Sequence, residues 1–145
     1  MITISSIVQG AIDRLVACLP ATMKSSVLRF PDRPEQFTPD VLKQKYPRGA
    51  LLVKHLESGA ESGAEAVIVG IAIVAETSLR EELLAEAVRG YLNKYQIPGV
   101  TRYEFATDKP LEIDLGIICR TVAYRCNRPA VPATDIAAFN AALKL

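Results

Sequence analysis

The chain has 145 residues, a usual length for one domain, and its 50% hydrophobic content is enough to build a core of sheet and helix. Lys and Arg number 17 against 16 Asp and Glu, so a formal charge of +1 supplies no global field toward nucleic acid or an anionic membrane. Cys18, Cys119 and Cys126 are odd in number and form no CxxC pair, which argues against a disulfide framework or a zinc site and for packing thiols in a reducing compartment.

Ile4, Ile7, Val8, Ala11, Ile12, Leu15, Val16 and Leu19 recur at helical spacing, so the chain is expected to open with an amphipathic helix that Pro20 stops. Gln9, Asp13 and Arg14 interrupt this stretch and no basic region precedes it, unlike a signal peptide. Ser25 to Phe30 reads as a short strand. From Pro31 to Arg48, four prolines among polar residues predict a surface connection, with a short helix capped by Thr38 and started by Pro39.

Ala50 to Leu56 and Ala64 to Ala75 read as a strand pair. The second run is shorter than the ~20 residues of a membrane-crossing helix. Between them, residues 57–63 (Glu-Ser-Gly-Ala-Glu-Ser-Gly) are expected to form a mobile hairpin tip. Ser78 with Glu81 matches a capping box at the head of a second long helix, with Leu79, Leu83, Ala87, Val88, Tyr91, Leu92 and Tyr95 as its apolar stripe. Strands are expected over Val100 to Thr107 and Leu115 to Cys126, flanking a turn at Asp108-Lys109-Pro110, and a last helix over Asp135 to Leu143. Arg120 shares a strand face with Ile118, Val122 and Tyr124, so it must lie at an edge or be paired. The order suits an α+β fold, a mostly antiparallel or mixed sheet with helices on one face, in one domain spanning residues 1–145 with a C-terminal extension over 127–145.

Chemistry is sparse. His55, the only histidine, excludes a two-histidine metal cluster and reads as a solvent-facing sheet residue. No GxSxG elbow or phosphate-binding loop is present. Glu81, Glu82 and Glu86 with Arg80 and Arg89 read as a solvated helix face. Asp32, Glu35 and Asp40 dilute any basic patch made by Arg29, Arg33 and Arg48, and no aromatic pattern for single-stranded RNA accompanies them. No catalytic residue, cofactor or metal is expected, and neither a membrane nor a specific nucleic-acid sequence as partner.

One resemblance runs from about Leu28 to Gly99. Phe30-Pro-Asp-Arg-Pro34, then Tyr46-Pro-Arg-Gly-Ala-Leu-Leu-Val53, then Leu83-Leu-Ala-Glu-Ala-Val-Arg-Gly-Tyr-Leu92 and Ile97-Pro-Gly99 are in their order and spacing similar to the Mu-like prophage tail terminator family. The resemblance implies a structural protein of contractile-tailed phages, placed in the virion at the neck between head and tail after assembly in the host cytoplasm. There it would form a hexameric ring that ends growth of the tail tube and sheath and offers a surface to head-completion proteins. Its implied partners are further copies of itself, the tail tube protein, the sheath protein and the head-completion protein. Another head-to-tail connector or tail component is the nearest alternative, and a small enzyme or ligand-binding domain the more distant one. By analogy, Arg33, Arg48, Glu57 and Glu61 are the candidate interface residues, on the proline-bounded connection and the hairpin tip.

Overall fold

Thr3 starts the first helix, α1 (Ile4–Cys18), through a reciprocal capping box: its Oγ1 accepts from the Ser6 N–H, and Ser6 Oγ accepts from the Thr3 N–H, both at 3.0 Å. The structure, a computed structural model, describes residues 2–30, 38–61, 63–113, 117–129 and 133–144. A 3-10 helix over Ala21–Ser26 follows α1, then β1 (Val27–Arg29), α2 (Pro39–Lys45), β2 (Ala50–Glu61), β3 (Ala64–Ala75), α3 (Ser78–Leu92), β4 (Glu104–Ile113), β5 (Ile117–Pro129) and α4 (Ala133–Leu143). Thr38 caps α2 as its sequence foretells, accepting from the Val41 N–H at 3.3 Å with proline in the first turn.

The strands form one mixed five-stranded sheet in the order β1-β2-β3-β5-β4. β1 runs parallel to β2, and every other pair is antiparallel. A parallel neighbour needs a crossover connection, here the segment that carries α2, whereas antiparallel neighbours can follow one another directly, as β2 and β3 do. The α+β class is therefore as expected.

Alternation along the strands sorts the side chains between two faces. Leu51 and Val53 of β2, Val67, Val69, Ile71 and Ile73 of β3, and Val122 and Tyr124 of β5 meet α1 and α3 in the main core. Ala50, Leu52 and Val74 point the other way and pack with Leu42 of α2, beside Phe30 and Tyr46. Two helices thus take the expected face, and α2 covers one corner of the opposite one. The rest of that opposite face, toward the far ends of β2 and β4, is covered by no described residue.

Four expectations change. The tract from Glu57 to Glu61 is strand, not a mobile tip, because Ala64 to Ile68 of β3 is held by β5 and templates β2 out to Glu61. Its polar composition is tolerated because this part of β2 is a sheet edge: β1 pairs only with Leu51 to Val53. Asp108-Lys109-Pro110 is likewise not a turn but the middle of β4, paired with Val122, Thr121 and Arg120. Pro110 is accommodated because β4 is the outermost strand.

The third change is at α3, where Thr77 is the cap, its Oγ1 accepting from the Arg80 N–H at 3.2 Å, one residue before the expected Ser78. Fourth, the buried stripe of α3 is Glu81, Leu84, Ala85, Val88 and Leu92, which turns Leu79 and Leu83 to solvent. β5 also continues past Cys126 to Pro129, and the expected connection from Pro31 to Phe37 lies outside the described residues.

Candidate functional site

Two β-bulges shape the uncovered face of the sheet. Between His55 and Glu57 the register of β2 on β3 shifts by one residue, and between Phe105 and Thr107 the register of β4 on β5 does the same. A bulge places two successive residues on one side of the strand. Leu56 and Glu57 accordingly both face away from α1 and α3, as do Ala106 and Thr107. Gly70 makes room for this: a Cβ there would stand 2.7 Å from Leu56 Cδ1, so only glycine lets the leucine lie on the strand.

The result is a shallow depression of about 270 Å³ floored by Leu56, Ile68, Ala106 and Ala123, with Glu57 and Lys109 at its rim. A second, of about 360 Å³, continues it over Ala66 toward Gly59 and shares Glu57 and Ile68. Small apolar residues form the floor and charges sit at the edges. That arrangement fits a flat protein partner better than a small molecule, which needs a deeper cleft with convergent polar groups.

The opposite side of β4 and β5 is held to α3 by charge. Arg120 on β5 donates to Glu81 of α3, and through Nη1 to Asp108 of β4 at 2.9 Å; Asp108 also accepts from Arg89 of α3 at 2.5 Å. The hydrogen bonds to Glu81 and then Asp108 push the Arg120 guanidinium pKa up. Arg89 lies over the Phe105 ring, 4.7 Å from its centroid, and Phe105 meets Tyr124 edge-on at 6.1 Å. Glu81 and Arg89 therefore fasten the helix and are not the solvated face expected of them. Arg120 thus engages both carboxylates, and Arg89 engages Asp108 as well.

A further clamp secures the start of the chain. Arg128 donates to Glu65 at 3.0 Å and to the Ile2 carbonyl at 2.9 Å, and Tyr103 donates its hydroxyl to the Ile7 carbonyl at 2.5 Å. Burial raises the pKa of Tyr103, and it pushes Tyr124 up to about 12 and Cys126 up to about 11. Cys126 is buried in the main core; a thiol in that setting is inert packing material.

Of the residues singled out from sequence, Glu57 is on the uncovered face. Arg48 is exposed just before β2, and its carbonyl accepts from Arg80 Nε at 2.7 Å. The part of β2 from Ala50 to Glu57 separates these two, roughly 24 Å at strand rise, so they belong to different surfaces. Glu61 ends β2 opposite Ala64, and Arg33 lies outside the described residues. His55 is half-buried and its Nε2 meets Ser58 Oγ at 2.7 Å, a local contact along one strand. Among the described residues, no group of three His, Cys, Asp or Glu side chains is placed to hold a metal ion, and no helix is long and apolar enough to cross a membrane. The bulges were missed from sequence; Gly70 inside an apolar run was the one available signal.

No protein-family model matches the sequence, and no curated protein matches it significantly. In fold, the chain is similar to a component of the virion of a native gene transfer agent particle, with a TM-score of 0.58 at 12% identity, over 90% of this chain and 100% of that chain. What the two share is therefore a fold, an α+β mixed sheet that one virion component also adopts.

Proposed function

We propose that the chain is a non-enzymatic structural subunit of a phage-like virion, and within it the tail terminator: a ring, a hexamer by family analogy, that ends growth of the tail tube and sheath and presents a surface for head-completion proteins. The observation that carries this reading is the likeness of the fold to a gene transfer agent virion component along nearly the whole of both chains. The order of motifs from Phe30 to Gly99 supports the finer assignment to the terminator. The uncovered, charge-rimmed sheet face suits a subunit that works by contact with copies of itself, the tail tube and the sheath. On this reading Arg33, Arg48, Glu57 and Glu61 contribute to such contacts on more than one surface, as a cyclic ring requires, because its interfaces join two different patches.

Electron microscopy of particles produced with and without this gene tests the assignment. Overlong, headless tails in its absence are the expected result. Tails of normal length with heads attached would overturn the terminator role.

A further inference from the structure

We propose that α4 of one copy seats in the groove on the uncovered sheet face of the next, a head-to-tail contact that would link copies into a ring. This rests on the ring-subunit reading above and deepens it by naming the interface.

The first observation is an apolar helix without a place to rest. α4 reads Ala133-Thr-Asp-Ile-Ala-Ala-Phe-Asn-Ala-Ala-Leu143, makes no extensive contact with any other element among the described residues, and leaves Ile136 50% and Leu143 83% exposed. Ala137, Ala138, Ala141 and Ala142 are exposed too. An isolated helix of eleven residues is marginal in water and gains its stability from tertiary packing of its apolar face. The second observation is a groove with a floor of small residues, Ala66, Ala106 and Ala123, and two larger ones, Leu56 and Ile68. Small residues on both partners allow the backbones to approach closely and pack without voids.

Charge decides which copy supplies the helix. Lys109 pairs with Thr121 on β5, and Glu57 pairs with Ile68, which lies opposite Arg125 on β5. Lys109 and Glu57 therefore stand at diagonal corners of the groove, four residues apart along β5 and three strands apart across the sheet, about 20 Å. The row at Glu57 also holds Arg125 and Glu104 and keeps an excess of one negative charge. α4 is about 16 Å long, with Asp135 in its first turn and Lys144 just past its last.

β5 leaves the groove at the Glu57 end and reaches α4 through residues 130–132. If α4 folded back over its own sheet, Asp135 would lie toward Glu57 and Lys144 toward Lys109, like charge on like. A helix from a second copy is free to lie in the opposite sense, with Asp135 at Lys109 and Lys144 at Glu57. Opposite charges then meet at both ends, which sets orientation and partner.

The test uses the full chain and two exposed-surface variants, Ile136→Asp on α4 and Thr107→Arg with Lys109→Glu in the groove, examined by analytical ultracentrifugation and native mass spectrometry. The unaltered chain is expected to self-associate. Each variant should melt at the unaltered temperature when both are diluted to monomer, yet associate about 100-fold more weakly. An equimolar mixture of the two should form a one-to-one dimer and nothing larger, because only the groove of the first and the helix of the second remain intact. A third variant, Leu83→Asp on the exposed face of α3, should assemble normally. A monomeric unaltered chain, variants that assemble unchanged, a mixture that stays monomeric, or loss of assembly in Leu83→Asp would each overturn the inference. Tail length, read separately by microscopy, decides the terminator role whichever way this test falls.

Discussion

Arg120 and Glu81, 39 residues apart in sequence, form the ion pair that docks α3 on the sheet, with Glu81 only 5% exposed and Asp108 taking the second arm of the guanidinium. One carboxylate is on the helix and the other on the edge strand, and Asp108 also takes Arg89 of α3, so two carboxylates and two guanidiniums form one network. The pair therefore links β4, β5 and α3 at a single point.

Removing one member should cost more than removing both. Arg120→Ala leaves Glu81 buried and unpaired and is expected to destabilise the fold by about 2–3 kcal/mol in urea unfolding. Arg120→Met combined with Glu81→Met, which replaces the pair by apolar volume, should recover most of that loss. Equal losses in the single and double variants would show that packing, and not charge, holds α3 at this point.

Alkaline pH should unfold the protein earlier than its acidic groups alone suggest. Burial raises Cys126 from 9.0 to about 11 and Tyr124 from 10.0 to about 12, so the folded state holds these protons more tightly than the unfolded chain. The associated stability is complete below the unfolded values and is lost as pH rises through the folded ones. Stability should thus decline from pH 9.0 and fall steadily to about 12, followed by urea midpoints across the range. Cys126→Ala is expected to flatten the first part of that decline.

Two glycines should respond oppositely to the same substitution. Gly49 has φ +102°, and an added Cβ would sit 2.9 Å from the Val74 carbonyl oxygen, a backbone atom that cannot yield. Gly49→Ala is expected to cost about 2–3 kcal/mol. At Gly70 the added carbon meets only the side chain of Leu56, which is already partly exposed and can swing out. Gly70→Ala should therefore cost less than about 1 kcal/mol while lifting Leu56 from the groove. Thermal melting of both variants checks the contrast.

At a dilution where the full chain is monomeric, ending it after Pro129 should leave the melting temperature of the remainder within about 2 °C of the full chain, since α4 packs extensively against no other element among the described residues. A large drop would mean that α4 packs on its own sheet, and would count equally against its proposed role between copies.

Local pattern determined the elements whose reasons are local. The stripe from Ile7 to Leu15 and the proline after Leu19 delimit α1, Thr38 and Pro39 start α2, and the β-branched run from Ala64 to Ala75 is a strand. Helical and strand periods lie within a few residues, so composition alone expresses them, and with them the α+β class. The resemblance to tail terminators also lies in local pieces, a proline turn, a glycine-started strand and a helix, and so offers interface residues only by analogy.

Only the tertiary structure decided which way α3 faces, how far β2 and β4 run, and where the groove lies. Leu79 and Leu83 are as apolar as Leu84 and Val88, and nothing near them says that Glu81 will be buried; its partner Arg120 arrives from a distant strand. Glu57 to Glu61 looks like linker until β3, held by β5, offers it a row of hydrogen-bonding groups. The groove is a product of two bulges on strands that are not neighbours, bridged by β3 and β5. Propensity acts within a turn or two of chain, whereas burial, pairing and surface shape depend on residues that meet only after the sheet has closed.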